Sequence, residues 1–278
     1  MDRLKEKVRE LLKTGKAAGF VGYKMTEGGH VLPHFFTKDR LEEVDEAAVC
    51  PGDARYPLDK LLQAVAAKYP EETFAILVRG CDERGLNELF KWGQLEPDKV
   101  VLVGIACPQE LADYCECPGP YDKVPGPFAS VIDYGEKCAP VKKSERVIRV
   151  DALAEDERFK EWHAHFDRCV KCYGCRDVCP MCFCKECSLE HPEFITTATV
   201  PPSNPEFHLA RATHMAGRCI DCGLCEETCP ADIPLRVLYK KGNQMVKELF
   251  GYETGSPPDT KSPFTLLGEE VTLETKPL

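Results

Sequence analysis

No stretch of this sequence is long and apolar enough to cross a bilayer. The longest apolar runs are short, such as VVLVGIA from Val100, against the roughly 20 residues a spanning helix needs. The N-terminal MDRLKEKVRELLKTG alternates charge with leucine, as an amphipathic helix does, and has no apolar signal-peptide core, so a cytoplasmic protein that does not span a membrane is expected. Excess positive charge is missing too. A net charge of −10 and a pI near 5.3 argue against a nucleic-acid partner held through phosphates, and Lys142-Lys143 and Lys240-Lys241 read as solvated surface charge. There is no complete dinucleotide-binding glycine fingerprint. No Ser–His–Asp order or carboxylate pair stands out from the 46 acidic residues, so no catalytic residue is assigned. Histidine adds little: His163 and His165 are badly spaced to share a metal on a helix, and His208 and His214 read as structural or surface residues.

Cysteine is what the chain has in excess. Seventeen thiols in a 278-residue chain with nothing secretory about it point to metal or redox chemistry rather than to disulfides. Six lie before residue 168, at 50, 81, 107, 115, 117 and 138, and eleven lie between 169 and 229.

The flanking sequence is of ordinary globular composition. Two β-like runs, Phe20–Lys24 and Val31–Phe36, bracket the Gly28-Gly29 turn signal. Pro57–Tyr69 reads as a helix, with Leu58, Leu61, Leu62, Val65 and Ala66 at helical spacing. FAILVRG (Phe74–Gly80), a helix capped by Asp82 and running through Leu86, Leu89 and Phe90, and VVLVGIA make a strand–helix–strand unit. An α/β N-terminal domain with a partly parallel sheet follows, placed at residues 1–150. The segment from Cys115 to Pro140 is rich in Pro and Gly and reads as a surface crossing, with a strand at Ala129–Tyr134. Residues 156–168 read as a helix with Phe159, Trp162 and Phe166 on one side.

Cys169-x₂-Cys172-x₂-Cys175-x₃-Cys179-Pro180 returns as Cys219-x₂-Cys222-x₂-Cys225-x₃-Cys229-Pro230. Thiolates two residues apart line a tight loop whose N–H groups face a cluster, and in two-cluster ferredoxins the fourth cysteine serves the other cluster. One [4Fe–4S] cluster is thus assigned to Cys169, Cys172, Cys175 and Cys229, and a second to Cys219, Cys222, Cys225 and Cys179. Four-thiolate zinc sites do not use two crossed sets of this form. Leu209, Ala212, Thr213 and Ala216 form a helical stripe between the copies, and Leu235–Phe250 reads as a helix after them. That favours an all-helical ferredoxin-like domain over 151–252, similar to those of heterodisulfide-reductase and succinate-dehydrogenase iron–sulfur subunits, followed by an extended tail over 253–278.

VRGCDERGLNELFKWGQ (Val78–Gln94), VVLVGIAC (Val100–Cys107), CYGCRDVCPMCFCKEC and FHLARATHMAGRCIDCGLCEETCP together resemble the iron–sulfur β-subunits of formate dehydrogenases and deazaflavin-reducing hydrogenases. The likeness is to the short form that accompanies heterodisulfide-reductase-like complexes in anaerobes, and it covers about residues 74–250. It implies an electron-transfer subunit that is not itself catalytic, working between a formate dehydrogenase- or hydrogenase-type catalytic subunit and a heterodisulfide-reductase-like partner. Longer relatives carry FAD. The alternative is a flavin- or cluster-containing subunit doing two-electron chemistry on a soluble substrate at an interdomain site.

Cys182, Cys184 and Cys187 are surplus to the two clusters. They read as part of an additional iron–sulfur cluster completed from the N-terminal domain by Cys81 or Cys107, both just past the C-terminal ends of predicted parallel strands, where open α/β sheets bind ligands; inert packing as small hydrophobes and zinc ligation are the alternatives. Cys50, Cys115, Cys117 and Cys138 are further donors. Gly80, Cys81 and Arg84 open a helix after a strand and so also offer a phosphate site for FAD, which Asp82 and Glu83 oppose.

Overall fold

The computed structural model describes residues 2–48, 54–120, 138–141, 143–191, 193 and 205–264. Cys50 and the strand expected at Ala129–Tyr134 lie outside the described residues. The chain divides into two compact units, residues 1–86 with 93–142, and residues 87–92 with 143–278.

The first unit is an α/β layer. Helix α1 (Asp2–Lys13) buries Leu4, Val8, Leu11 and Leu12, one helical face. Strands β1 (Gly19–Met25) and β2 (Val31–Thr37) form an antiparallel hairpin, whose connection uses Gly29 at φ 76°, a conformation glycine adopts without steric cost. Helix α2 (Leu58–Lys68) leads to β3 (Phe74–Val78), helix α3 (Gly80–Lys91) and β4 (Val100–Gly104). The sheet order is β2-β1-β3-β4, with β3 parallel to both neighbours. Every residue of β3 is buried, as its unbroken apolar run requires of a strand covered on both faces. The partly parallel α/β sheet expected from the sequence is present.

Three details differ from expectation. Helix α3 begins at Gly80, so Asp82 lies inside its first turn, where its Oδ2 accepts the N–H of Arg79 at 2.9 Å. A short helix α4 (Gln109–Tyr114) precedes Cys115. Cys115, Cys117 and Cys138 are buried with Cys107, Leu111 and Ala112, because a thiol packs as a small hydrophobe despite the prolines around it.

Asp59, on α2, is 1 % exposed and neither carboxylate oxygen has a hydrogen-bond partner. Burial first, then the charge of Asp82, pushes its carboxyl well above the usual range. The folded state thus keeps a proton that the unfolded chain releases above about pH 4. This contribution to stability is complete below that pH and falls as pH rises toward the folded value. Asp59→Asn should stabilise the protein at neutral pH by about 1–2 kcal/mol and change little near pH 4. Anaerobic urea unfolding at the two pH values checks this; an equal shift at both would sink the proton argument.

The second unit is helical. Helix α5 (Glu145–Asp151), capped by Ser144 Oγ accepting from Val147 N–H, packs Val147 and Val150 on Val237 and Trp162. Of the aromatic stripe on α6 (Glu155–Asp167), Phe166 is buried, Trp162 half-buried and Phe159 exposed. Single-turn helices α7 (Gly174–Asp177) and α9 (Leu224–Glu227) follow the two cysteine loops, with α8 (Pro205–Met215) before the second loop and α10 (Leu235–Phe250) after it. Residues 87–92, the end of α3, belong to this unit. There Glu88 and Lys91 form a buried ion pair of 3.0 Å, and Tyr252 Oη donates to Glu88 Oε1 at 2.6 Å, as does Gly255 N–H at 2.7 Å. Lys91 Nζ also reaches Tyr252 Oη and Ser256 Oγ, so the first tail residues are fixed on α3.

Candidate metal centres

The two cysteine loops fold alike. Lys171 and Tyr173 in the first have left-handed backbone, φ 50° and 60°, as do Asp221 and Gly223 in the second, φ 59° and 82°. Non-glycine residues there cost roughly 1–3 kcal/mol each and persist where the surroundings over-determine them. The turns aim main-chain donors at sulfur. Lys171 N–H donates to Cys169 Sγ at 3.3 Å, and Asp221 N–H makes the matching bond to Cys219. Helix α10 fixes the second loop: Arg236 and Lys240 hold the Asp221 carboxylate at 2.5 and 3.2 Å, and Asn243 donates to Cys219 O at 2.6 Å.

The fourth cysteines cross. Cys229 lines one cavity with Cys169, Cys172 and Cys175, together with Pro230, Ile233 and His208, a space of about 340 Å³ counted to its open mouth. Burial, then the thiols of Cys169, Cys172 and Cys229 against the opposing charge of Arg211, pushes Cys175 up to about 11. On the other side Cys225 is raised by burial and then by Cys222 and Cys219, and Cys179 feels Cys182 and Cys222. Thiols held protonated by burial become ligands only when a metal's charge reverses that preference.

Helix α8 serves both sets. The sequence stripe Leu209, Ala212, Thr213, Ala216 is not its buried face: Leu209 is 54 % exposed, whereas Phe207, His208, Arg211 and Met215 are buried. The polar residues face the cysteines. Arg211 donates to Tyr239 Oη at 2.9 Å, to Cys175 O at 2.7 Å and to the Cys182 sulfur at 3.1 Å. Among the described residues no carboxylate pairs with this 2 %-exposed cation, and an uncompensated buried charge is strongly unfavourable. His208 stacks on Phe166 at 4.6 Å, lines the first cavity, and has neither ring nitrogen hydrogen-bonded. Burial lowers it to about 4, so it is a neutral imidazole with an N–H to give. A buried cation without an acid, an unbonded imidazole and inward amides are what an anionic cluster on four thiolates fits.

The surplus thiols have three different surroundings. Cys182 sits by Cys179 and Arg211. It stands three residues after Cys179, as Asp232 does after Cys229, and both N–H groups close the same turn, to Cys179 O and Cys229 O. Cys187 packs near Leu189 and Phe207 and accepts from Arg176. Cys184 is exposed. In the first unit, Cys107 is buried with Cys115, Cys117 and Cys138, and Cys81 lies near Cys107 and Cys117. Arg84, offered by sequence for a phosphate, donates instead to Gly119 O at 2.8 Å and to the Cys117 sulfur at 3.7 Å. Among the described residues no three His, Cys, Asp or Glu side chains converge tightly enough for a single ion; the four thiolates of an iron–sulfur cube stand wider apart than that. His208 and Arg211 escaped sequence reading because nothing in a periodic pattern marks a buried polar face; their i, i+3 spacing three turns before the second motif was the available signal.

Comparison with known proteins bears on the same region. Residues 168–234 match the family described as "4Fe-4S dicluster domain". The chain is 35 % identical over 137 residues, 49 % of its length and 36 % of the relative's, to the protein named "F420-dependent formate dehydrogenase subunit beta" of Methanocaldococcus jannaschii. A second such β-subunit, from Methanococcus maripaludis, is 40 % identical over 96 residues, 34 % of this chain and 24 % of the relative. "Acetyl-CoA decarbonylase/synthase complex subunit alpha 1" of Methanosarcina mazei is 29 % identical over 127 residues, 43 % of this chain and 14 % of the relative. The match thus spans about a third or less of each relative's length. Residues 168–234 are a 4Fe–4S dicluster domain, and through the matched residues the chain is related to the iron–sulfur β-subunits of formate dehydrogenase.

Proposed function

We propose that the chain is an iron–sulfur electron-transfer subunit of a cytoplasmic, formate dehydrogenase-type complex, with a heterodisulfide-reductase-like protein as the partner on its other side. The observation that carries the reading is the crossed pair of cysteine sets, with Arg211 held against both. Cys169, Cys172, Cys175 and Cys229 would hold one [4Fe–4S] cluster and Cys219, Cys222, Cys225 and Cys179 the other. Bound there, the clusters supply reversible one-electron transfer. The chain's own residues set the conditions: the left-handed turns direct N–H groups at sulfur, α8 places an imidazole and a guanidinium beside the thiolates, and Cys169, Cys175, Cys179 and Cys219 are buried from water. The alternative, two-electron catalysis with FAD, would need a phosphate site at Gly80, Cys81 and Arg84, and there the guanidinium is already committed to Gly119 and Cys117.

The test is to isolate the chain without oxygen, together with whatever co-elutes, and to add formate. The broad visible absorbance of the clusters should bleach, and benzyl viologen should be reduced. Bleaching by dithionite but not by formate overturns the formate assignment, and stoichiometric FAD in the sample overturns the non-catalytic one.

A further inference from the structure

The first unit contains a second concentration of sulfur that the dicluster motif does not explain. Cys81 stands in the first turn of α3, just past the end of β3, and Cys107 stands just past the end of β4. This is the C-terminal edge of two adjacent parallel strands, where side chains from successive crossovers converge. Cys115 and Cys117 come from the turn after α4. The residue between them, Glu116, is left-handed at φ 44°. In helical backbone residues i and i+2 point to opposite sides; the reversal at Glu116, just past α4, lets two thiols so close in sequence join one buried cluster with Cys107. Burial first, and then the Asp82 carboxylate, holds the Cys81 thiol protonated, with smaller contributions from nearby Cys107 and Cys117 against Arg84; burial likewise raises Cys107, with Cys117 and Cys115 close enough to add to it.

Two arginines give these sulfurs hydrogen bonds. Arg55 Nη1 lies 2.8 Å from Cys115 Sγ and Arg84 Nη2 lies 3.7 Å from Cys117 Sγ. A third, Arg79, is 4 % exposed, and its charge acts on Cys107. Arg55 also lies over the Tyr114 ring at 5.5 Å and Arg84 also donates to Gly119 O at 2.8 Å, yet each keeps a donor on sulfur, and a neutral thiol is a weak acceptor. An anionic metal–thiolate centre accounts for both the donors and the charge. Two of the thiols donate hydrogen bonds of their own: Cys81 Sγ to Asp82 Oδ1 at 3.9 Å and Cys138 Sγ to Cys107 O at 3.4 Å. Cys81 is set apart from Cys138 by its place at the sheet edge, in the first turn after β3 and beside the end of β4.

We propose that Cys81, Cys107, Cys115 and Cys117 form an iron–sulfur site held wholly within the first unit, with Arg55 and Arg84 as hydrogen-bond donors to its sulfurs. The site uses none of Cys182, Cys184 and Cys187. It does not depend on the dicluster domain; only its use as an electron carrier rests on the function proposed above.

The experiment measures iron, acid-labile sulfide and zinc per chain, with Mössbauer spectra, in full-length protein purified without oxygen. Wild type should hold about twelve irons as three [4Fe–4S] cubes. The Cys115→Ser/Cys117→Ser double variant should hold about eight, with the reduced EPR signals of the dicluster domain unchanged. Cys138→Ser and the triple change Cys182→Ser/Cys184→Ser/Cys187→Ser should each keep about twelve. About eight irons in wild type overturns the site, as does an unchanged count in the double variant, a loss in the triple variant, or one zinc in place of four irons. Should the double variant not fold, the wild-type and triple-variant counts decide alone. Cys219→Ala separates the two readings: failure to lose about four irons there counts against the dicluster assignment and not against this site.

Discussion

Cys229→Ala should abolish the same EPR signal that Cys172→Ala abolishes, and Cys179→Ala the same signal as Cys222→Ala. Each change should take about four irons from the chain. The expectation follows from the crossing: Cys229 shares its cavity with Cys169, Cys172 and Cys175 and not with the loop 219–225 that precedes it, while Cys179 answers to Cys222. Sequential ligation would give the opposite pairing, Cys179 with Cys172 and Cys229 with Cys222, and that pattern would refute the assignment. The Cys179 variant has one complication with a readable outcome. Cys182 lies beside Cys179 and has its sulfur hydrogen-bonded to Arg211, so in Cys179→Ala it is the nearest substitute ligand. A cluster retained with altered g-values in Cys179→Ala, and lost in Cys179→Ala/Cys182→Ala, is the form that rescue would take.

Arg211→Met should lower the reduction potentials of both dicluster sites. A fixed cation stabilises the reduced, more negative state, and this one touches the backbone of Cys175 from one set while its charge acts on Cys179 and Cys182 at the other. At an effective dielectric of about 20 and a separation of about 7 Å, one unit charge contributes on the order of 2 kcal/mol, or roughly 100 mV per electron. Arg211→Lys keeps the charge and loses the planar fork, so its potentials should stay closer to wild type. EPR-monitored redox titration distinguishes the cases. If Met and Lys variants shift equally, Arg211 acts through packing; if only one site shifts in Arg211→Met, its charge does not serve both.

Periodicity and spacing made much of this legible. The end points of α10 were readable because an amphipathic run from Leu235 ends at Phe250 with Gly251 in left-handed conformation as its cap. Strand β3 was readable because five consecutive apolar residues leave no polar face. Two kinds of feature were not. The burial of Cys115, Cys117 and Cys138 was hidden by surrounding Pro and Gly, which describe the path of the backbone and not the depth of its side chains. The orientation of α8 was hidden because reading a helix by its apolar stripe assumes that the core is made of hydrocarbon. Here the core beside α8 is sulfur, with room for an anion, and the residues turned toward it are His208 and Arg211 while Leu209 faces water. Helix α5 went unseen for a simpler reason: seven residues give too few turns for a period to show.

The assignment of residues 87–92 to the second unit has a consequence for biosynthesis. The carboxylate of Glu88 and the hydroxyl that completes its environment are 164 positions apart. At translation speeds of about 5–20 residues per second, roughly 8–30 s separate their synthesis. During that interval the last turn of α3 carries Glu88 and Lys91 without the tail residues that cover them. The clasp at Tyr252 can therefore close only after all of the cysteines from Cys169 to Cys229 have been synthesised.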